Sequence, residues 1–423
     1  MKRVLLVALI FSLLQVNAMA ANTPVIVQLG PLGNITSVLR VLGGSLLDSI
    51  PGTNIYLVNL PNLPIVSPLL KTLLGIVSIE VDKIIAVPGR GQMGILTVGN
   101  TAAADWYRSQ PELQRIRAAS AHSFSRGRGI VVADLNSIVD YSHPALRGHL
   151  TSGYDLAGAR AGYAGMLNQS EASFLDQSEA SFLDQSSASF LDQSSASFLD
   201  QSEASFLDQS EASFLDGGNP AHGHGTLCAA IIAAVAPESM IMPLRVFDDS
   251  GNADVFSIAK AIHHAVRNGA QVINLSFGMA EQYGAVQNAL AYAAQRNVVV
   301  VASAGNANTS TPQFPASVST VIAVAAVDLL DKKASFSNFG SSVFVDAPGV
   351  NIISAYPGGR YAMVSGTSYS APMVAGEAAL IMSVKNGSAK SIIGSATVNI
   401  DAQNPSYTGK LGRGRIDILE AVR

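Results

Sequence analysis

The pattern of apolar and polar positions separates this chain into contrasting stretches. From residue 129 onward, Val/Ile-rich runs without polar alternation occupy 129–135, 239–247, 271–276, 297–303 and 320–327. Such runs suit strands covered on both faces, as in a parallel sheet. Between them, apolar residues recur at three- and four-residue spacing over 224–235, 253–268, 285–296 and 368–384, as helices with one buried side require. Val255, Ile258, Ala259, Ile262 and Val266, for instance, share one helical face. Strands and helices alternating in this way predict a doubly wound, three-layer α/β domain over 112–423.

A smaller α/β unit is predicted over 21–89. "PVIVQL" and "GIVSIEVDKIIAV" read as strands, and "SVLRVLGGSLL" and "VSPLLKTLL" carry helical spacing. Residues 90–111 combine turn residues with no clear period and read as a linker. At the start, Lys2 and Arg3 precede an apolar stretch at 4–14, and Ala18-Met19-Ala20 offers a small-residue cleavage site. This pattern predicts a signal peptide over 1–20, too short for a membrane span, and hence an exported protein, secreted or periplasmic, with no membrane attachment after its removal. Cys228 is the only cysteine, so no internal disulfide can form. An exported chain of 423 residues, 48% of them hydrophobic, then relies on a large core instead. The net charge of −4 carries no nucleic-acid signature.

One segment breaks the alternation. Residues 169–216 are six copies of Gln-Ser-Glu/Ser-Ala-Ser-Phe-Leu-Asp, holding ten carboxylates and no Lys or Arg. "AGMLN" at 164–168 resembles a worn further copy, so the insertion is read as 164–216. An eight-residue period drifts around a helix and lines no single face. Each copy offers only two large apolar residues, which predicts an acidic surface loop. A calcium-binding or adhesive tract is the functional alternative.

Four separated stretches each present one reactive group. "GHGTLCAAIIAAVAP" puts His224 at the start of a small-residue helix, and "VVVVASAGNANTS" ends a buried strand in Asn306. "VSGTSYSAPMVAGEAALIM" opens a helix at Ser368, with its hydroxyl and N–H at the positive end of the dipole. "GIVVADLNSIVDYSHPAL" runs an apolar strand into Asp134 and Asn136. In an open α/β sheet these element ends converge outside the strands' carboxyl edge. Acyl transfer needs such a set: a serine, a histidine to take its proton, a carboxylate to orient the histidine, and fixed donors for the oxyanion.

With these residues in hand, the chain resembles the subtilisin-family (S8, subtilase) serine endopeptidases over roughly 112–423. "HGTLCAA" is similar to the family's histidine motif, "VASAGN" to its oxyanion strand and "GTSYSAPMVAG" to its nucleophile motif, with "QVINLSFG", "DAPGVNIISAYPGG" and "GRGRIDILEAV" also fitting. The resemblance implies Ser368 as nucleophile, His224 as general base and acid, and Asn306 as oxyanion donor. It also implies a substrate groove lined by Ser276, Phe277, Gly278, Ser303, Ala304 and Gly305. Polypeptides are the implied substrates, no cofactor takes part in the chemistry, and a monomer is implied. Calcium sites are common in the family, but no ligand cluster is legible here. Residues 21–89 resemble the family's inhibitory propeptide, which would make the chain a zymogen with its own propeptide as intramolecular inhibitor. Cys228 reads as a buried structural thiol, and His263 and His264 fall outside every motif.

The first motif departs from the family. Aligned without gaps, "GRGIVVADLNSIVDYSHPAL" puts Asn136, not Asp134, where the catalytic aspartate belongs, while Asp140, His143 and Pro144 fall in place. Three explanations stay open. Asp134, two residues back on the same strand face, reaches His224 through a slip or bulge. Alternatively, Asn136 sits in the triad of a slow enzyme, or the chain is a peptide-binding pseudoprotease that has lost catalysis. Met373, where the family usually has His, is a smaller departure that touches packing. If the repeats are only a surface loop, deleting 169–216 leaves peptide hydrolysis unchanged in a cleavage assay; loss of hydrolysis would tie the tract to catalysis.

Overall fold

The computed structural model describes residues 23–61, 66–86, 96–98, 101–157, 160–161 and 222–423. The predicted signal peptide and the octapeptide tract lie outside the described residues. The chain divides into two units, Met1–Asp82 and Lys83–Arg423.

In the first unit, Thr23–Leu29, Ser45–Ser49, Ile55–Leu60 and Ile76–Val81 form an antiparallel sheet with the first strand between the third and fourth. Alternation in "TPVIVQL" turns Val25, Val27 and Leu29 into a small core with Val38, Val58, Leu60 and Ile76. The helical spacing expected through "SVLRVLGGSLL" holds only for Ile35–Leu42. Gly43 and Gly44 have φ of 76° and 101°, a region that ends a helix, and the chain leaves them as the strand Ser45–Ser49. A side chain at Gly44 would also come within 2.2 Å of Asn59 O.

Among the described residues the second unit is built on eight parallel neighbours. In spatial order they are Arg415–Ile416, Val345–Pro348, Ile322–Val327, Val299–Ser303, Val272–Leu275, Val131–Asn136, Met240–Arg245 and Tyr154–Asp155. Every residue of Ile322–Val327 is buried, which accounts for strands that read as unbroken apolar runs. Sequence order starts in the middle, at Val131–Asn136, and later strands are added on both sides of it. The carboxyl end of that strand is therefore the topological switch point, where an α/β sheet opens a crevice.

The helices complete a three-layer α/β domain. His224–Val235 and Thr367–Val384, here called the histidine and serine helices, pack on each other and on the central strands. They are buried almost all round because the antiparallel hairpin Ile352–Tyr356 and Arg360–Val364 also covers the histidine helix. Val255–Arg267 and Gly284–Gln295 pair with each other and keep one exposed side. Small residues let the two central helices approach closely. An added Cβ at Gly376 would lie 2.7 Å from Val235 Cβ.

Two segments differ from expectation. Within 90–111, expected as a linker, Leu96–Val98 adds a strand to Arg360–Val364 and Thr101–Ser109 is a helix. That helix docks through the buried Tyr107, whose hydroxyl donates to Ala230 O at 2.6 Å, with Ala104 and Trp106 packed beside it on the core; contacts within a single turn leave no apolar period to read. Ile84–Ala86, expected within the small unit, instead pairs antiparallel with Asn252–Asp254 of the second unit. Among the described residues no helix is long and apolar enough to cross a membrane. The close helix crossing predicts that Gly376→Val lowers stability by about 1–3 kcal/mol, measured as a fall in the thermal denaturation midpoint.

Candidate active site

The central strand ends in a polar pair. Asp134 and Asn136 point to the same side of Val131–Asn136, and both are buried. The histidine helix begins against the turn that follows. Gly225 lies so close that a Cβ there would meet Ser137 O at 2.5 Å and Ile138 O at 2.6 Å. Its N–H donates to Ser137 Oγ at 3.0 Å, which satisfies one otherwise unpaired donor of the first turn. This junction brings His224 Nδ1 to 2.6 Å from Asn136 Oδ1.

Neighbouring donors settle the orientation of that amide. The Ser137 backbone N–H, which can only donate, bonds Asn136 Oδ1 at 2.9 Å. Asn136 Nδ2 donates to the two Asp134 carboxylate oxygens at 3.3 and 3.4 Å. With Oδ1 an acceptor, His224 Nδ1 carries the proton, and Nε2 keeps its lone pair. Burial pushes the His224 pKa down to about 4, so the imidazole is neutral across the physiological range.

Ser368 stands in the first turn of the serine helix. Its Oγ donates to Ser276 O at 3.0 Å, while its own carbonyl accepts from Ser276 Oγ at 2.8 Å and Cys228 Sγ at 3.5 Å. Cys228 Sγ also lies 3.9 Å from His224 Nδ1, so serine and histidine flank the same thiol. Asn306 Oδ1 accepts from both N and Oγ1 of Thr367, at 2.9 and 2.8 Å. That leaves Nδ2 as the donor end, 3.5 Å from where a Gly366 side chain would begin, next to the serine.

The structure thus gathers His224, Ser368, Asn306 and Asn136 at one rim, and of the two candidates left open on this strand it sets Asn136, not Asp134, against His224. No bulge moves Asp134: Val131–Asn136 runs in unbroken register with both neighbours, and Asn136 takes the contact. Ser276 is at the serine, and Phe277 is buried edge-on against Phe247 at 5.2 Å. Ser303 ends its strand, and Ala304 and Gly305 lead from it to Asn306. Asp140 and His143 hold the loop after Asn136 onto the hairpin, through Gly358 N at 3.0 Å and Arg360 O at 2.8 Å. Burial raises the Cys228 thiol well above its usual range, which suits an inert structural group. His263 and His264 lie against the rings of Tyr292 and Tyr154.

Two residues escaped the sequence reading. Asn274, directly opposite Asp134 in the neighbouring strand, donates to Asp134 Oδ1 at 2.7 Å and to Ser276 Oγ at 2.9 Å. Its signal was a lone amide inside the apolar run "VINL". Gln313 covers both groove glycines, since an added Cβ would meet its Oε1 at 2.1 Å from Gly278 and its Cδ at 2.9 Å from Gly305. Nothing local to Gln313 marks it, because its position depends on the loop after Asn306 folding back, with Gln313 N–H donating to Ala304 O at 3.2 Å. Among the described residues, no group of three His, Cys, Asp or Glu side chains could hold a metal ion.

Comparisons with known proteins point to one family. A family model described as the subtilase family matches residues 127–403. Thermitase from Thermoactinomyces vulgaris is 43% identical over 213 residues, covering 48% of this chain and 75% of that protein. Subtilisin Savinase from Lederbergia lenta is 36% identical over 211 residues, 48% of this chain and 78% of that protein. Among solved structures, fervidolysin from Fervidobacterium pennivorans, described as a keratinolytic enzyme related to subtilisin, superposes with a TM-score of 0.67. That match covers 96% of this chain and 62% of the other at 22% identity, a likeness of fold.

The buried imidazole makes a prediction. In the folded chain His224 binds its proton more weakly than in the unfolded chain, so its contribution to stability is present above pH about 6.5 and is lost as pH falls toward about 4. In a Ser368→Ala protein, NMR titration of His224 should give a midpoint near 4; one near the ordinary histidine value would mean that the ring is open to water.

Proposed function

The chain belongs to the subtilase family of serine endopeptidases, and on that footing we propose that it is an exported zymogen that cleaves polypeptides through an acyl-enzyme on Ser368. In this mechanism Ser368 Oγ rotates away from Ser276 O and gives its proton to His224 Nε2 as it attacks the peptide carbonyl. The oxyanion meets Asn306 Nδ2 and the helix N-terminus that presents Ser368. His224 then returns the proton to the departing amine, and water repeats the sequence to release the acid. The observation that carries this reading is the shared rim on which the hydroxyl, the neutral imidazole and the amide donor meet.

The inhibitory role of the N-terminal region draws support from Ile84–Ala86, which adds an antiparallel strand to Asn252–Asp254. Strand addition to an exposed edge is a general way to hold an extended peptide. A segment of the chain's own sequence on that edge would exclude any substrate strand that pairs there. Export rests on the predicted signal peptide. A calcium ion would be structural and take no part in the chemistry, and we expect a monomer. The neutral Asn136 beside His224 favours slow turnover, since loss of the aspartate charge in related triads costs about 10⁴ in kcat, a figure that comes from serine-protease work including subtilisin itself.

A serine-directed fluorophosphonate should label the mature protein, and the label should vanish in Ser368→Ala. Absence of labelling, together with tight binding of an uncleaved peptide, would instead establish a pseudoprotease. Ile85→Pro, which removes a strand N–H, should make the full-length chain label faster than the unaltered one; equal rates would remove Ile84–Ala86 from inhibition.

A further inference from the structure

Asp134 is a buried carboxylate, and among the described residues no cation contacts it. Its donors are amides alone: Asn274 Nδ2 at 2.7 Å, and Asn136 Nδ2 at 3.3 and 3.4 Å. Beyond Asn136 lies the imidazole, whose Nδ1–H donates to Oδ1 at 2.6 Å. Carboxylate, amide and imidazole therefore form one hydrogen-bonded series. We propose that Asp134 is a positioning residue for acyl transfer: its carboxylate holds and polarises the Asn136 amide, so that a neutral side chain serves His224 in place of an aspartate. The proposal rests on the acyl-transfer reading above.

Three features carry it. An ionised carboxylate can only accept, so it keeps Nδ2 on its own side while Ser137 N–H keeps Oδ1 on the other. A flipped amide would turn a donor toward His224, favouring the tautomer with its proton on Nε2, which cannot accept the serine proton. Second, drawing the Nδ2 protons toward a negative charge makes Oδ1 a stronger acceptor, which favours the imidazolium formed during attack. Third, Asn274 ties the carboxylate to the nucleophile, because it also holds Ser276 Oγ, which holds Ser368 O.

The charge state of Asp134 is set by opposing effects. Burial raises its pKa to about 7, against hydrogen bonds from Asn274 and Asn136 that lower it. The titratable groups facing it are His224 and Cys228 from the histidine helix. The flanking strands face it with Asn274 and Pro243, neither of which titrates, and the serine helix brings Tyr369 to the same histidine and Ser368 to Cys228. The helix Val255–Arg267 also packs on this strand, toward the side occupied by Ala133 and Leu135. Because His224 is already neutral above about pH 4, an acid limb of kcat near pH 7 would report Asp134.

The experiment is a double-mutant cycle of Asp134→Asn and Asn136→Asp on the full chain after maturation, read as kcat, KM and pH profile. In the natural background, Asp134→Asn should lower kcat roughly 10- to 100-fold with KM within about threefold, as expected for a charge one amide from the imidazolium. The limb near pH 7 should disappear with it. In the Asn136→Asp background, where residue 136 carries its own charge and cannot flip, the same change should cost less than about threefold. An equal loss in both backgrounds makes Asp134 a merely structural residue and overturns the proposal.

Failure of fluorophosphonate labelling in the unaltered protein is a separate result, which sinks the acyl-transfer reading. ¹⁵N NMR of His224 in Ser368→Ala still tests the hydrogen-bonded series in that case. The Nδ1–H tautomer should dominate, and Asp134→Asn should admit the Nε2–H form; an unchanged tautomer overturns the proposal. Should Asp134→Asn not fold, the His224 Nδ1 proton resonance in Ser368→Ala must shift with a midpoint near pH 7, and a flat course overturns the proposal.

Discussion

The contact between His224 Nδ1 and Asn136 Oδ1, 2.6 Å long, is the interaction on which the rest of the site depends. It exists because a helix start is pressed onto the end of a central strand. Gly225 makes this possible, since any side chain there would collide with the carbonyls of Ser137 and Ile138. Ser137 then holds the junction from both ends: its hydroxyl accepts from Gly225 N–H, and its own N–H orients Asn136. One turn of backbone fixes the position, the tautomer and the free lone pair of the imidazole together.

The buried carboxylates show why Asp134 differs from its neighbours in the core. Glu377 and Asp346 are fully buried, their oxygens have no hydrogen-bond partner, and burial drives both pKa values far upward. They are accommodated as neutral acids, because an unpaired buried charge is too costly to keep. Asp134 is just as deeply buried, yet two amides donate to it and bring its pKa back to about 7. The geometry of the donors, rather than the depth of burial, separates a carboxyl group that stays silent from one that can be charged near neutral pH.

Much of the second unit could be read from the chain. Unbroken Val/Ile runs such as Ile322–Val327 and the apolar stripe of Val255–Arg267 carry their own periods, because each is buried by a regular surface. Reading failed where a segment is held by few contacts. Thr101–Ser109 meets the core through Ala104, Trp106 and Tyr107, barely one turn, and Ser45–Ser49 follows two glycines that stop a helix whose apolar spacing carries on past them. Ile84–Ala86 was legible as strand, but its partner strand Asn252–Asp254 lies far along the chain, and local pattern carries no information about a partner.

At the site, the sequence showed the chemistry available: the hydroxyl, imidazole and amides sit at element boundaries, and the resemblance to the subtilase motifs singles out Ser368, His224 and Asn306. It also showed that Asp134 and Asn136 share a strand face, since alternation along a strand is a local property. Which of the two meets the histidine was decided only by tertiary structure, because it turns on how far along the strand a helix more than eighty residues away makes its closest approach. The same holds for Asn274 and Gln313. Each acts across a register or a loop closure that the order of residues does not encode nearby.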